Sequence, residues 1–328
     1  MSGNHNQSLE RALDIVSAAA KAGADAIKLQ TYTPDTMTLD ITEDEFLITE
    51  ADSLWHGKSF YSLYAEAQTP WEWHQPIFDR ARELDMVGFS SPFDESAVDF
   101  LESLNISLYK IASFECIDLP LVKKVASTGK PVIISTGMAT WTEIEETVQT
   151  ARDAGCTELT LLKCTSSYPA SPRNSNLLTI PDMRASFNCS VGLSDHTPGI
   201  GAAVASVTLG ATIIEKHLTL DRNDGGVDSR FSLEPNEFGQ LVTETKRAFQ
   251  ALGKISYGPT NVETTAKHRR RSIYITKDVQ SGDILSKNNI RCIRPGLGLP
   301  PKYYQELLGQ RFKFDAPLGT PLRWDLIE

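Results

Sequence analysis

Basic charge is scarce in this chain of 328 residues: 32 lysines and arginines face 42 aspartates and glutamates, for a formal net charge of −10. Nucleic-acid binders need a cationic surface to displace counterions from the phosphate backbone, so a nucleic-acid partner is not expected. Cysteine is sparse too. Cys116, Cys156, Cys164, Cys189 and Cys292 are odd in number and include no CxxC pair, which argues against a zinc knot or a disulfide frame and for reduced thiols. No stretch reaches the roughly 18 consecutive apolar residues of a membrane span, and Met1 to Gln7 has neither the basic start nor the apolar run of a signal peptide. The expectation is a cytoplasmic protein with no membrane partner. Low-complexity tracts and long-period repeats are lacking as well.

What is there reads as a folded α/β protein. The apolar fraction of 41% and charged fraction of 23% are ordinary for a globular chain, and the length suits one large domain and one small one. Seven short apolar runs alternate with amphipathic ones: DAIKLQ, MVGFSS, SLYKIAS, PVIIS, ELTLLKC, SVGLS and TIIEKHL. Such alternation predicts a parallel sheet, and near-continuous apolar strands predict burial on both faces. Helices are expected from about Leu9 to Ala22, after a capping box at Thr140 to Glu143, and across WEWHQPIFDRARELD, opened by Pro70. Seven strands are one short of a closed (β/α)8 barrel. The chain opens on the polar turn SGNHNQS, so a first strand is expected to be missing. The barrel domain is placed at 1–253, a polar linker at 254–268, and a small β-rich module at 269–328.

Each apolar run ends in reactive residues: Lys28 and Gln30, Ser90 and Ser91, Lys110 with Ser113 and Glu115, Ser135, Lys163 and Tyr168, Ser194 to His196, and Glu215 with His217. In a parallel barrel these ends converge on one face, where active sites lie. His196 and His217 end successive strands, with Asp195 and Asp228 nearby, and are candidates to hold one divalent metal. Two imidazoles completed by water or substrate suit Mn2+, Co2+ or Zn2+ above Ca2+, with Mg2+ tolerated. Lys28, Lys110 and Lys163, with Ser113, Ser135 and Ser194, are candidates for an anion pocket. A lone desolvated lysine would suit a Schiff-base aldolase, but three spread over separate strands favour charge neutralisation. His5, His56, His74 and His268 read as surface or packing residues, and Lys267 to Arg271 as a solvated run.

The segments GNHNQS, AIKLQTY, LYKIASFE, PVIISTGM, LLKCTSSYP, VGLSDHT and IIEKHLTLDR resemble, in order and spacing, the sialic acid synthase family, and IRPGLG resembles its C-terminal antifreeze-like (SAF, β-clip) domain. KLQTYTPDTMTLD and LYAEAQTPWEWH look most like the pseudaminic acid branch of that family. The resemblance implies a TIM barrel plus SAF domain, and a metal-assisted condensation of phosphoenolpyruvate with a 2,4-diacetamido-2,4,6-trideoxy hexose. It puts phosphoenolpyruvate contacts on Lys28, Lys110, Ser113, Ser135, Ser166 and Ser194, and the metal (Mn2+, Mg2+ or Co2+) on His196 and His217. Sugar contacts fall on Gln30, Glu115, Tyr168, Asp228 and Arg294. Arg294 matches an arginine that reaches into a partner subunit, implying a domain-swapped homodimer. The family's first strand ends in a glutamate ahead of the SGNH turn. With that residue outside the chain, proton handling is expected from Asp195, Glu115 or Asp228, with Tyr168 beside them. N-acetylneuraminate or legionaminate synthesis is the nearest alternative, and a non-catalytic sugar-binding homologue the alternative of another class.

Overall fold

The computed structural model describes residues 1–51 and 53–328. They form two compact units, Met1–Gly253 and Lys254–Glu328. In the first, seven parallel strands follow one another in chain order: β1 (Ala26–Thr31), β2 (Val87–Pro92), β3 (Tyr109–Ile111), β4 (Val132–Ser135), β5 (Leu159–Cys164), β6 (Ser190–Asp195) and β7 (Ile213–Lys216). Successive side chains on a strand point to opposite faces. On the convex face Ile27, Leu29, Leu161 and Leu193 pack in the main core with Ile15 and Val16 of helix α1 (Leu9–Lys21). On the concave face Phe89, Ile133 and Leu162 make a small inner cluster with Leu108 and Ile213. Gly192 permits the closeness of β6 and β7, since a Cβ there would stand 2.3 Å from the Ile213 carbonyl oxygen.

The helices start where their capping chemistry dictates. Ser8 accepts a hydrogen bond from the Arg11 amide at the head of α1. Thr140 and Glu143 exchange reciprocal bonds at the head of the helix Trp141–Asp153. The run after Pro70 differs from the single helix expected. It is a 3-10 turn, Trp71–Trp73, followed by an α-helix, His74–Glu83. Pro76 explains the break: proline lacks an amide hydrogen and its ring clashes with the carbonyl four residues back, so it is tolerated only in the first turn.

Among the described residues β7 pairs with β6 and not with β1, so the sheet is a curled, open half-barrel of seven strands. Between the two free edges lies a cleft of 780 Å³. Ile27, Ile214, Phe238 and Leu241 line its length, while Lys28, Glu215 and His217 reach it from the site end. The Met1 amino group donates to the Lys28 carbonyl at 3.1 Å, on the free edge of β1. The second unit carries the antiparallel pair β8 (Ser272–Ile275) and β9 (Ile290–Ile293) around a core including Ile273, Ile290, Phe312 and Leu322. Positions 251 to 271 are exposed throughout. No helix among the described residues is long and apolar enough to cross a membrane.

Candidate active site

Strand parity decides which strand-end groups meet. Leu193 faces the convex layer, so Ser194 faces inward and Asp195 outward. Ile213 belongs to the inner cluster, so Glu215 and His217 face inward and Lys216 outward. The structure therefore brings together Lys28, Lys110, Ser194, Glu215, His196 and His217, and takes two expected residues out of the set. Asp195 is bound to Lys216 on the outer face at 2.6 Å. Lys163 shares the parity of Leu161, and its ammonium donates to the Cys164 carbonyl at 2.7 Å.

Glu215 is the hub of the floor. Its Oε1 lies 3.0 Å from Lys28 Nζ and accepts from the Ser194 hydroxyl at 3.0 Å. Burial opposes its ionisation, but Lys110, Lys28 and Ser194 outweigh burial and hold the carboxyl well below the usual range. Lys110, 1% exposed, donates to the Ile111 carbonyl at 2.7 Å, and burial pushes its ammonium down to about 8. Two cations and one carboxylate leave an excess of positive charge, the complement of a small anion. Sequence reading had placed Glu215 at a strand end without a role. Nothing in its neighbourhood along the chain announced that it would face two lysines from β1 and β3.

The hydroxyls lie beside this floor. Ser113 and Ser166 are hydrogen-bonded at 2.8 Å, while the buried hydroxyl of Ser135 has no partner. The loop after β4 comes close because position 137 is glycine at φ +49, where an added Cβ would stand 2.6 Å from Ser113 Cβ. Such a φ favours glycine in any case. Glu115 follows β3 in a 3-10 turn; its Oε2 is buried without a partner, and burial raises its carboxyl to about 7. Burial likewise raises the Tyr168 phenol, whose ring meets that of His196 edge-on with centroids 4.6 Å apart. Gln30 lines the same end of the cleft as Lys28.

The two histidines lie side by side with ring centroids 5.3 Å apart, and Phe231 packs edge-on against both. His196 Nδ1 is 3.1 Å from the Thr165 carbonyl, which can only accept, so the proton of the neutral ring sits on Nδ1 and Nε2 keeps its lone pair. His217 Nδ1 is 3.1 Å from the Ser2 hydroxyl, which also lies 2.8 Å from the Met1 carbonyl. Burial, then His196, holds the His217 imidazolium well below its usual range, so the ring is neutral. Asp228, 3.9 Å from His217 Nδ1, is raised by burial against the opposing pull of Ser2 and the Gly3 amide. Two adjacent imidazoles, with the Nε2 of His196 free, fit a divalent cation. Among the described residues no group of three or more histidine, cysteine or acidic side chains is placed to hold one, so further ligands would come from water or substrate.

The remaining expected residue, Arg294, is exposed in the second unit, before the Arg294–Pro295 peptide bond. His5 and His74 are fully buried packing residues, and His74 Nε2 is bonded to Thr31 at 2.7 Å.

A parallel half-barrel with two lysines, a carboxylate and two histidines gathered at its carboxyl end has the architecture of barrel enzymes, whose active sites lie on that face. The chain belongs to the NeuB family, which matches residues 15–257, and carries a SAF domain at residues 270–328. It is 44% identical to the pseudaminic acid synthase of Helicobacter pylori over 330 residues, covering 100% of this chain and 96% of that protein. With the pseudaminic acid synthase of Campylobacter jejuni it shares 43% identity, over 98% of this chain and 94% of the other. The crystal structure of N-acetylneuraminic acid synthetase from Leptospira borgpetersenii superposes with a TM-score of 0.70 at 31% identity, covering 80% of this chain and 86% of that one.

Proposed function

We propose that this protein condenses phosphoenolpyruvate with 2,4-diacetamido-2,4,6-trideoxy-β-L-altropyranose and water, giving pseudaminic acid and inorganic phosphate. The observation that carries the reading is the Lys28–Glu215–Lys110 floor beside two adjacent histidines, in a chain similar along its whole length to pseudaminic acid synthases.

Lys28 and Lys110 neutralise the carboxylate and phosphate of phosphoenolpyruvate, and Ser113, Ser135, Ser166 and Ser194 supply hydrogen bonds. Ser135 is suited to this, because its buried hydroxyl otherwise goes unpaired. Gln30, Tyr168 and Asp228 line the sugar's place. A divalent cation (Mn2+, Mg2+ or Co2+) held by His196 and His217 would act as a Lewis acid toward the open-chain aldehyde. The alkene carbon of phosphoenolpyruvate attacks that aldehyde, and water adds to the cationic carbon left behind. Phosphate then departs by C–O cleavage, its growing charge met by the lysines and serines. Glu115, poised at about 7, takes the proton from the water and gives it to the alkoxide formed from the aldehyde. The hydroxyl left on the tetrahedral carbon passes its proton to the departing phosphate as the ketone forms.

The reading includes a homodimer in which Arg294 of one copy reaches the barrel of the other, as the family resemblance implies. Sedimentation of the wild type tests the dimer. Phosphate release from phosphoenolpyruvate tests the reaction, with the altrose derivative set against the N-acetylneuraminate and legionaminate precursors. Preference for either precursor would overturn the choice of sugar, and no release with any would overturn the reaction.

A further inference from the structure

Asp195 and Lys216 are register partners on β6 and β7, each the residue immediately before a site histidine. Their side chains point away from the site and meet in the convex layer, Nζ to Oδ2 2.6 Å, with 0% and 2% of the Lys216 and Asp195 side chains exposed. Both also grip the turn that carries His196. Asp195 Oδ1 accepts from the Thr197 amide at 2.9 Å, and Lys216 Nζ donates to the Thr197 carbonyl at 2.5 Å. The backbone on either side of His196 is thus tied, through Lys216, to the residue that precedes His217.

A buried ion pair is an expensive way to hold two strands together. Desolvation of both ions offsets most of their attraction, and apolar replacements of similar volume are often as stable. A pair of aliphatic side chains would pack at the same place, but would not fix a direction. The hydrogen bonds to Thr197 do: they set the turn, and with it the direction in which His196 leaves the strand.

We propose that the Asp195–Lys216 pair is a positioning device that sets the separation and orientation of the His196 and His217 rings, and through them the affinity of the site for a divalent cation. The proposal rests on the reading of those histidines as a cation site. Asp195 is then a positioning residue, acting through His196 from the far side of the sheet.

The test compares wild type, His196→Ala, Lys216→Met and the double variant Asp195→Asn/Lys216→Met. The double variant leaves no unpaired buried charge and keeps an acceptor for the Thr197 amide. Mn2+ affinity is read by electron paramagnetic resonance, ring environment by 15N imidazole spectra without metal, and phosphoenolpyruvate binding by fluorescence. Outer groups that orient metal ligands are worth about 10- to 100-fold in affinity. The double variant is therefore expected to bind Mn2+ about 10- to 100-fold more weakly, with shifted His196 and His217 resonances and unchanged phosphoenolpyruvate binding. Wild-type Mn2+ affinity and unshifted resonances in the double variant would overturn the inference. Equal loss of Mn2+ and phosphoenolpyruvate binding would also overturn it, as a general loosening of the fold. If wild type and His196→Ala bind Mn2+ alike, the cation-site reading fails, and the metal-free spectra still decide whether the pair positions the rings.

Discussion

The Glu215 carboxylate sits 3.0 Å from the Lys28 ammonium, on a floor that also holds the buried ammonium of Lys110. It is the countercharge that lets two lysines share a site before any anion arrives.

Replacing Glu215 with Gln should lower stability and raise the affinity for anions together. Breaking a buried pair by removing one partner costs about 3–5 kcal/mol, because the other charge remains buried. Melting curves at pH 7 should show the loss, and added phosphate should recover more of it in Glu215→Gln than in wild type. The sign with pH follows from the depressed carboxyl: its contribution is present above the ordinary value of 4.5 and disappears as pH falls through the lower folded value. The gap between the two proteins should therefore close in acid. Equal melting temperatures at pH 7 would show that the carboxylate is not balancing the lysines.

Glu115 behaves in the opposite sense. Burial raises its carboxyl from 4.5 to about 7, so its contribution to stability is full below 4.5 and is lost as pH rises through 7. Glu115→Gln should match wild type in acid and exceed it at pH 8, by about 3 kcal/mol at an exchange of 1.36 kcal/mol per pH unit. Its kcat should fall about 10²–10⁴-fold and lose the acid limb near pH 7. A retained limb would assign the proton transfer elsewhere, with Asp228 the next group to test.

Much of this site was legible before any coordinates, because strand ends can be read from apolar runs and a parallel sheet collects them on one face. Facing was harder. Asp195 drew attention as the neighbour of His196 in the chain, yet adjacent residues on a strand point to opposite faces, and it pairs with Lys216 instead. Lys163 was misplaced by the same parity. Glu215 and Ser2 gain meaning only through partners far off in the chain, Lys28 for one and His217 for the other. Pro76 was visible, but its effect on the helix after Pro70 was not drawn from it.

His196→Ala and His217→Ala should each reduce phosphate release to background. The two rings stand side by side, each offering one ligand, so neither can replace the other. Chelation should silence the wild type reversibly, with Mn2+, Mg2+ or Co2+ restoring turnover, while no added metal should restore either variant. If one variant retains wild-type turnover after chelation and metal replacement, that histidine holds no metal.

The cleft between β1 and β7 yields the last prediction. Both lips are strand edges with unpaired backbone groups, and the walls include Ile27, Ile214, Phe238 and Leu241. An extended segment of six apolar residues, fused ahead of Met1, would start where the Met1 nitrogen already bonds to the Lys28 carbonyl. Each aliphatic side chain buried there contributes about 1.5–3 kcal/mol, against about 1–2 kcal/mol per residue for ordering the backbone. The balance is a few kcal/mol in favour, before the edge hydrogen bonds are counted. At about 2–4 °C per kcal/mol for a domain of this size, the fusion should melt several degrees higher. It should also turn over faster, because β1 carries Lys28 and β7 leads into His217, and pinning both edges narrows the range of positions those groups sample. A fusion of six serines controls for length. If the apolar and serine fusions melt and turn over alike, the cleft is not a place for a strand.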